Sequence, residues 1–288
     1  MKGLDAGWIE GTPRLRFYRR RGKGLPLLFL HGVLRCAADF QEMLPFLHPG
    51  WDVFLVDQRG HGDSERASRY RVVDYIADAF RVVDFIGADG LVVFGHSLGA
   101  MVATALAVAR PLRAVVLEDP PFSTMGDRIV GSGWCALFFG MRRVLVAGGG
   151  VGEVFRGLGE ILVPQQGGEM RALCTLRSEA SLRWSAECLM RVDPGVLEPL
   201  VEGKWLEGWT WEGLLSKARS EVCLLRGDLA AGAALTPGDA SAVGRPKLGY
   251  RHEFFCGQGH QLHAANPASF AEMVNGWWEE TAPGFYSE

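Results

Sequence analysis

The stretch "VVFGHSLGA", residues 92–100, holds the residues best suited to chemistry. Ser97 stands between Gly95 and Gly99, with an apolar run before it and an alanine-rich helical pattern after it. A serine at the tip of so sharp a turn takes a strained backbone conformation. Side chains at the two glycine positions would collide with neighbouring elements. The turn carries the Ser97 hydroxyl beyond the end of its strand, at the amino end of a helix, where partial positive charge favours a developing oxyanion. A neutral serine needs a base, and seven histidines compete. His48 and His252 have no motif around them. His31 reads as a packing residue, and His61, in "RGHGDS", as a residue that shapes its turn. His96 adjoins Ser97 and is expected to face away from its hydroxyl. His260 ends "GQGH", a glycine-rich loop after a short apolar run, and is the expected base; His263 is the runner-up. The base needs a carboxylate on its second ring nitrogen, to fix the tautomer and stabilise the imidazolium. "AVVLEDPPF" offers two, Glu118 and Asp119, unless both merely cap the turn before Pro120-Pro121.

Short apolar runs recur at 25–32, 51–60, 91–97, 114–119, 222–228 and 252–260, each ending in turn or polar residues. They suit strands of a parallel sheet covered on both faces. Helical patterns lie between several of them. One sets Tyr75, Ile76, Ala79, Val82, Val83 and Ile86 on one face, with Asp74 as its expected N-cap. A second ends before Pro111, and a third carries Phe270, Met273, Val274, Trp277 and Trp278. This alternation predicts an α/β fold with a mostly parallel, doubly wound sheet. It breaks between about 122 and 209, where a helix is expected with Leu173, Leu176, Ala180, Trp184 and Cys188 on one stripe. Residues 1–121 and 210–288 are read as the core, and 122–209 as a helical cap over the sheet's carboxyl edge, where such folds bind ligands. Glycines 148 and 150 do not make a nucleotide loop, because Glu153 stands where a third glycine belongs.

Four stretches together resemble the α/β-hydrolase superfamily over nearly the whole chain: "FLHGVLRCAADF", "VDQRGHGDSE", "GHSLGA" and "GQGHQLHAANPASF". The resemblance implies a serine nucleophile, Ser97, rather than the aspartate usual in dehalogenases and epoxide hydrolases of this fold. It implies His260 as base and an oxyanion hole made by the backbone N–H groups of Leu98 and of Val33, with Leu34 as the alternative to Val33. Most members place the triad acid after the penultimate strand, three positions past a glycine. That position here is Ala230, which cannot serve, and Asp228 lies nearer the strand. Some dehalogenases and lactone hydrolases instead end the strand after the elbow helix with a glutamate. Glu118 occupies the matching position and is the expected acid, with Asp119 and Asp228 as alternatives; Asp239 is a further candidate if both adjacent acids only cap their turn.

These residues make an acyl-transfer site. The expected activity is hydrolysis of a small or medium carboxylic ester or lactone through an acyl-enzyme. Carbon–carbon bond hydrolysis of a diketone-like substrate is one alternative, and a non-catalytic ligand-binding protein on a hydrolase fold is another. Trp134, Phe138 and Trp184 are candidate substrate contacts, together with Phe139 and Met141, although each could equally be core. No cofactor is expected. The HxxH spacing of His260 and His263 has no acidic or cysteine ligands around it that would argue for a metal.

A length of 288 residues suits one large domain, or a core with an insertion, and 48% hydrophobic residues supply its interior. A formal charge of −3 gives no case for a nucleic-acid partner. The basic cluster at 16–24 reads as the exposed strands and turn of a hairpin. Six scattered cysteines without CxxC read as reduced apolar residues. The start has no continuous apolar run of the signal-peptide kind, and no stretch reaches the roughly 18 uncharged apolar residues of a membrane span. A cytoplasmic protein is the expectation. "RGD" at 226–228 reads as a strand end, not an adhesion motif, and the oligomeric state is not encoded in any pattern found.

Overall fold

The computed structural model describes residues 1, 3–126, 128–130, 132–165 and 168–281. Its first half contains β1 (Asp5–Ile9), β2 (Leu15–Arg20), β3 (Pro26–Leu30), β4 (Asp52–Val56), α1 (Val72–Ile86), β5 (Val92–His96), α2 (Leu98–Ala109) and β6 (Ala114–Glu118). An insertion follows, with α3 (Gly133–Ala147), α4 (Val151–Gly159), the short strands β7 (Leu162–Pro164) and β8 (Met170–Ala172), α5 (Glu179–Leu189) and α6 (Glu198–Val201). The chain then returns through β9 (Glu221–Arg226), α7 (Pro237–Ala242), β10 (Tyr250–Phe254), α8 (Leu262–Ala265) and α9 (Pro267–Thr281).

Eight strands form one sheet in the order β1-β2-β4-β3-β5-β6-β9-β10. The two pairings at the N-terminal edge are antiparallel and the rest are parallel. This is the doubly wound sheet that the apolar runs predict. Strands β3, β5 and β6 are buried along almost their whole length because helices cover both faces. On one face α1 and α2 pack against Leu28, Val93, Val115 and Leu224; on the other, Phe40, Leu262, Phe270 and Trp277 pack against Phe29, Phe94 and Val116. β6 and β9 are neighbours in the sheet although about a hundred residues separate them, and β7 and β8 pair only with each other.

Three local expectations change. The basic stretch at 16–24 is not an exposed hairpin. Its residues up to Arg20 form β2, an inner strand with Leu15 and Tyr18 buried, and the hairpin turn falls between β1 and β2. The arginines are accommodated because they find acceptors: Arg19 pairs with Asp52 across the strands, and Arg20 donates to the carbonyls of Leu44 and His48. Asp74 is not the N-cap of α1. The helix begins two residues earlier, and the Asp74 carboxylate accepts from the Arg71 N–H (2.9 Å), reaching back over the first turn. The stripe expected around residue 180 is also displaced. Leu173 and Leu176 precede α5, Ser178 caps it, and the buried side chains are Leu182, Ser185, Ala186, Cys188 and Leu189.

Candidate active site

Ser97 follows the last residue of β5 and precedes the first turn of α2. Its φ of 54° lies in the left-handed region. The glycines are required there: a Cβ on Gly95 would stand 2.3 Å from the Gly99 carbonyl oxygen, and one on Gly99 would stand 2.0 Å from that of Leu30. Among the described residues only three non-glycine residues have positive φ, and they are Leu34, Ser97 and Asp119. All three lie at the carboxyl ends of adjacent parallel strands, where backbone strain commonly marks function.

The base expected from sequence, His260, has its Nδ1 2.6 Å from Asp119 Oδ2. Glu118 is not its partner, so the expected acid is corrected here. Glu118 is the last residue of β6 and obeys strand alternation, which turns its side chain onto the sheet face. There it is fully buried and takes two bonds from His263, from the backbone N–H to Oε1 (2.9 Å) and from Nδ1 to Oε2 (2.7 Å). Asp119, at φ 46°, is the first residue past the strand, and the left-handed turn sends its carboxylate over the sheet edge instead. The loop after β9 completes the cradle with backbone groups. Ala234 N–H donates to Asp119 Oδ2 (2.7 Å), and those of Leu235 and Gly227 donate to Oδ1 (3.1 and 3.3 Å). Burial alone would raise the Asp119 pKa, but His260 and these amides hold it below the usual carboxylate range.

Asp228 is also not at His260. Its Oδ1 accepts from Ala230 N–H in a local turn (3.0 Å) and its Oδ2 from Gly257 N–H (3.0 Å), tying the loops after β9 and β10 together. Asp239 accepts from the Ser123 hydroxyl. His96 is pushed down to about 3, mainly by burial, and as a neutral ring its Nε2 bonds the His260 carbonyl oxygen (3.0 Å). Its ring centroid lies 4.7 Å from that of His260.

The loop after β3 runs beside Ser97. A Cβ on Gly32 would stand 3.2 Å from Ser97 Cβ. Leu34 N–H is committed to His61 Nε2 (3.0 Å), while His61 Nδ1 bonds the Arg59 carbonyl. Val33 N–H has no acceptor among the described residues. Burial pushes the His61 pKa down to about 3, which keeps Nε2 an acceptor. His31 likewise serves the scaffold: its Nδ1 bonds Gly32 O in its own loop and its Nε2 accepts from Gln58 N–H in the loop after β4.

A cavity of about 910 Å³ lies between the sheet edge and the insertion, and Ser97, His260, Val33 and Leu34 reach its wall. Of the aromatic candidates, Trp134 and Phe138 line it, and the Trp134 ring stands edge-on to His260 (5.2 Å between centroids). Met141 lines it too, whereas Phe139 is exposed and outside the wall. Trp184 also lies outside the wall. Its Nε1 donates to Asp39 Oδ1 (2.9 Å), a buried carboxylate that also pairs with Arg35. Sequence reasoning passed over Arg35, Asp39 and Arg177. Arg35 and Asp39 stand four apart in the oxyanion-loop stretch, a spacing that could have signalled an ion pair; no local pattern marks Arg177. No group of three or more histidine, cysteine or acidic side chains suited to a metal occurs among the described residues. No helix among them is long and apolar enough to cross a membrane.

Comparison with known proteins points the same way as the connectivity. Residues 26–134 match the family model described as the alpha/beta hydrolase fold. A 2-(acetamidomethylene)succinate hydrolase of Mesorhizobium japonicum is 33% identical over 104 residues, which is 35% of this chain and 37% of that protein. The chain thus aligns with little more than a third of the length of this relative. An esterase from Exiguobacterium antarcticum has a similar structure, with a TM-score of 0.71 at 16% identity over 96% of this chain and 100% of the other. A structure of an N-acyl homoserine lactonase with N-hexanoyl homoserine gives 0.70 at 20% identity over 99% and 100%. The sheet order, the strained serine between β5 and α2 and the matched segment together show that the chain has the α/β-hydrolase fold.

Proposed function

We propose that the protein is a serine hydrolase that cleaves a carboxylic ester or lactone through an acyl-enzyme. The observation that carries this reading is the 2.6 Å contact between Asp119 Oδ2 and Nδ1 of His260, which lines the same cavity as Ser97. With Nδ1 committed to Asp119, Nε2 is the ring nitrogen left to act as base. Ser97 Oγ attacks the substrate carbonyl carbon while His260 Nε2 takes its proton. The carbonyl oxygen becomes an oxyanion held by the N–H groups of Leu98 and Val33. Collapse expels the alcohol, which takes the proton back from His260 and leaves an ester on Ser97. Water then gives its proton to His260 and attacks that ester; the second collapse releases the carboxylic acid and returns the proton to Ser97 Oγ. Ser97 Oγ has no hydrogen-bond partner among the described residues, and such contacts often tighten only when substrate is bound. The insertion at 122–209 acts as a cap whose Trp134 and Phe138 contact the substrate's apolar part.

Labelling with a fluorophosphonate tests the reading. The wild-type protein should label on Ser97, and Ser97→Ala should neither label nor turn over an ester and lactone panel, at unchanged melting temperature. Undiminished turnover by Ser97→Ala would mean that another group is the nucleophile.

A further inference from the structure

The charges around the cavity do not balance. Arg35 and Arg177 are the arginines in its wall, and no aspartate or glutamate lines it among the described residues. Arg35 is accounted for: its Nε and an Nη lie 2.9 and 2.5 Å from Asp39 Oδ1. Deeper in, His263 is matched by Glu118 at 2.7 Å. Arg177 has no such partner. Its backbone N–H bonds the Leu173 carbonyl, but its guanidinium makes no ion pair or hydrogen bond among the described residues. The nearest acid in sequence, Glu179, pairs with Arg183 at 3.1 Å. Burial, together with the charge of Arg35, pushes the Arg177 pKa down to about 10. A guanidinium left partly desolvated beside a second cation, with no anion supplied by the described residues, carries an unmet electrostatic cost.

We infer that Arg177 anchors a carboxylate on the substrate, so that the natural substrate is an acidic ester or lactone whose reacting carbonyl lies at Ser97 and whose free carboxylate lies at Arg177. A carboxylate supplies the one negative charge the wall lacks, and it matches the planar fork of a guanidinium with two parallel hydrogen bonds. Ser181, Ser185 and Gln165 line the same cavity and offer neutral hydrogen-bonding groups. Trp134, Leu137, Phe138 and Met141 give the rest of the wall an apolar character, which suits a hydrocarbon body between the two ends. The inference rests on the reading of Ser97 as nucleophile only for where the second end of the substrate lies.

Two measurements separate the anchor from the nucleophile. In calorimetric titration of Ser97→Ala protein, dicarboxylates from malonate to adipate are compared with the corresponding diamides. At least one diacid should bind about 10- to 100-fold tighter than its diamide, the range expected for charge-assisted bonds, and Arg177→Met should erase the difference while Arg177→Lys keeps part of it. In turnover by the wild-type protein, the mono-para-nitrophenyl ester of adipic acid should exceed its methyl-capped neutral analogue in kcat/KM by a similar factor, and Arg177→Met should collapse that ratio. Diacids and diamides that bind alike, an undetectable diacid, or an acid preference that survives in Arg177→Met overturns the anchor. Fluorophosphonate labelling of Ser97 without any preference for acids would sink the anchor alone. Diacid binding that depends on Arg177 in a protein that never labels at Ser97 would sink the nucleophile and leave the anchor standing.

Discussion

Asp119→Asn separates the two adjacent acids most directly. Asparagine keeps an acceptor oxygen for the amides of Leu235 and Gly227 but turns an NH2 donor toward Ala234 N–H and His260 Nδ1, and it removes the charge that faces the ring. The imidazolium formed during attack then has no counter-charge, and the ring is free to hold the wrong tautomer. Loss of this group in a serine triad costs about 10⁴ in kcat, and steady-state assays should find a loss of that order in Asp119→Asn with only a modest fall in melting temperature. Asp228→Asn should leave kcat unchanged, because its carboxylate bonds the amides of Ala230 and Gly257 and not His260. An Asp228→Asn enzyme as impaired as Asp119→Asn would refute this assignment.

Glu118 acts instead through the element that carries the proposed base, His260. It grips His263 by backbone and side chain, three residues past His260 at the start of α8, and so pins the loop on which His260 sits. Breaking a buried pair leaves an uncompensated group, and Glu118→Gln should cost about 3 kcal/mol of stability by urea unfolding, with a smaller loss of kcat than Asp119→Asn. The pair also sets a pH window. Burial opposes ionisation of Glu118, but His263 wins and lowers its pKa, so that stability is present above the unfolded carboxylate range and lost as pH falls through the folded value. Burial opposes protonation of His263, but Glu118 and Asp39 raise its pKa. That stability is complete below the unfolded value of about 6.5 and lost as pH rises through the folded one. Wild-type stability should therefore decline on the alkaline side, and His263→Asn should flatten that decline; an identical alkaline slope in the variant would count against a charged His263. The strands and the serine turn were legible in the sequence because their signals are local: apolar runs, flanking glycines, a helix pattern at once afterwards. The choice between Glu118 and Asp119 was not, because it depends on where β6 stops and on a left-handed turn that the Pro120-Pro121 pair does not announce. Strand alternation was the available clue, since a residue still within the strand must face one side of the sheet. Arg177 was illegible for another reason: the lack of a partner is a property of the folded cavity, not of neighbouring residues.

The insertion and the sheet share one interior, which bears on whether the molecule can be cut at their junction. Phe122, just past β6, stacks on Trp211 with 4.7 Å between centroids, and both belong to the cluster that contains Leu28, Val93 and Leu117 of the sheet. Val154, Leu158, Leu197 and Trp205 of the insertion are buried in that same cluster. Polar stitches cross the junction as well. Val72 N–H at the start of α1 donates to the Trp205 carbonyl (2.9 Å), Asp193 N–H to that of Gly60 (2.8 Å), and the Tyr70 hydroxyl to Asp193 Oδ2 (2.8 Å). Deleting residues 125–205 would remove the partners of these groups and uncover a face of aromatic and aliphatic side chains, each large aromatic alone burying roughly 150–250 Å². The shortened chain should therefore lose cooperative thermal unfolding and associate through the uncovered face, as read by calorimetry and light scattering. Point changes confined to the cavity wall, such as Trp134→Ala, should instead leave the melting transition cooperative and act on KM, since Trp134 packs edge-on to His260 at the cavity surface. A deletion product that stays monomeric and melts in a single sharp transition would show that the sheet and its helices hold together without the insertion, and that the shared cluster contributes less to the core than its burial implies.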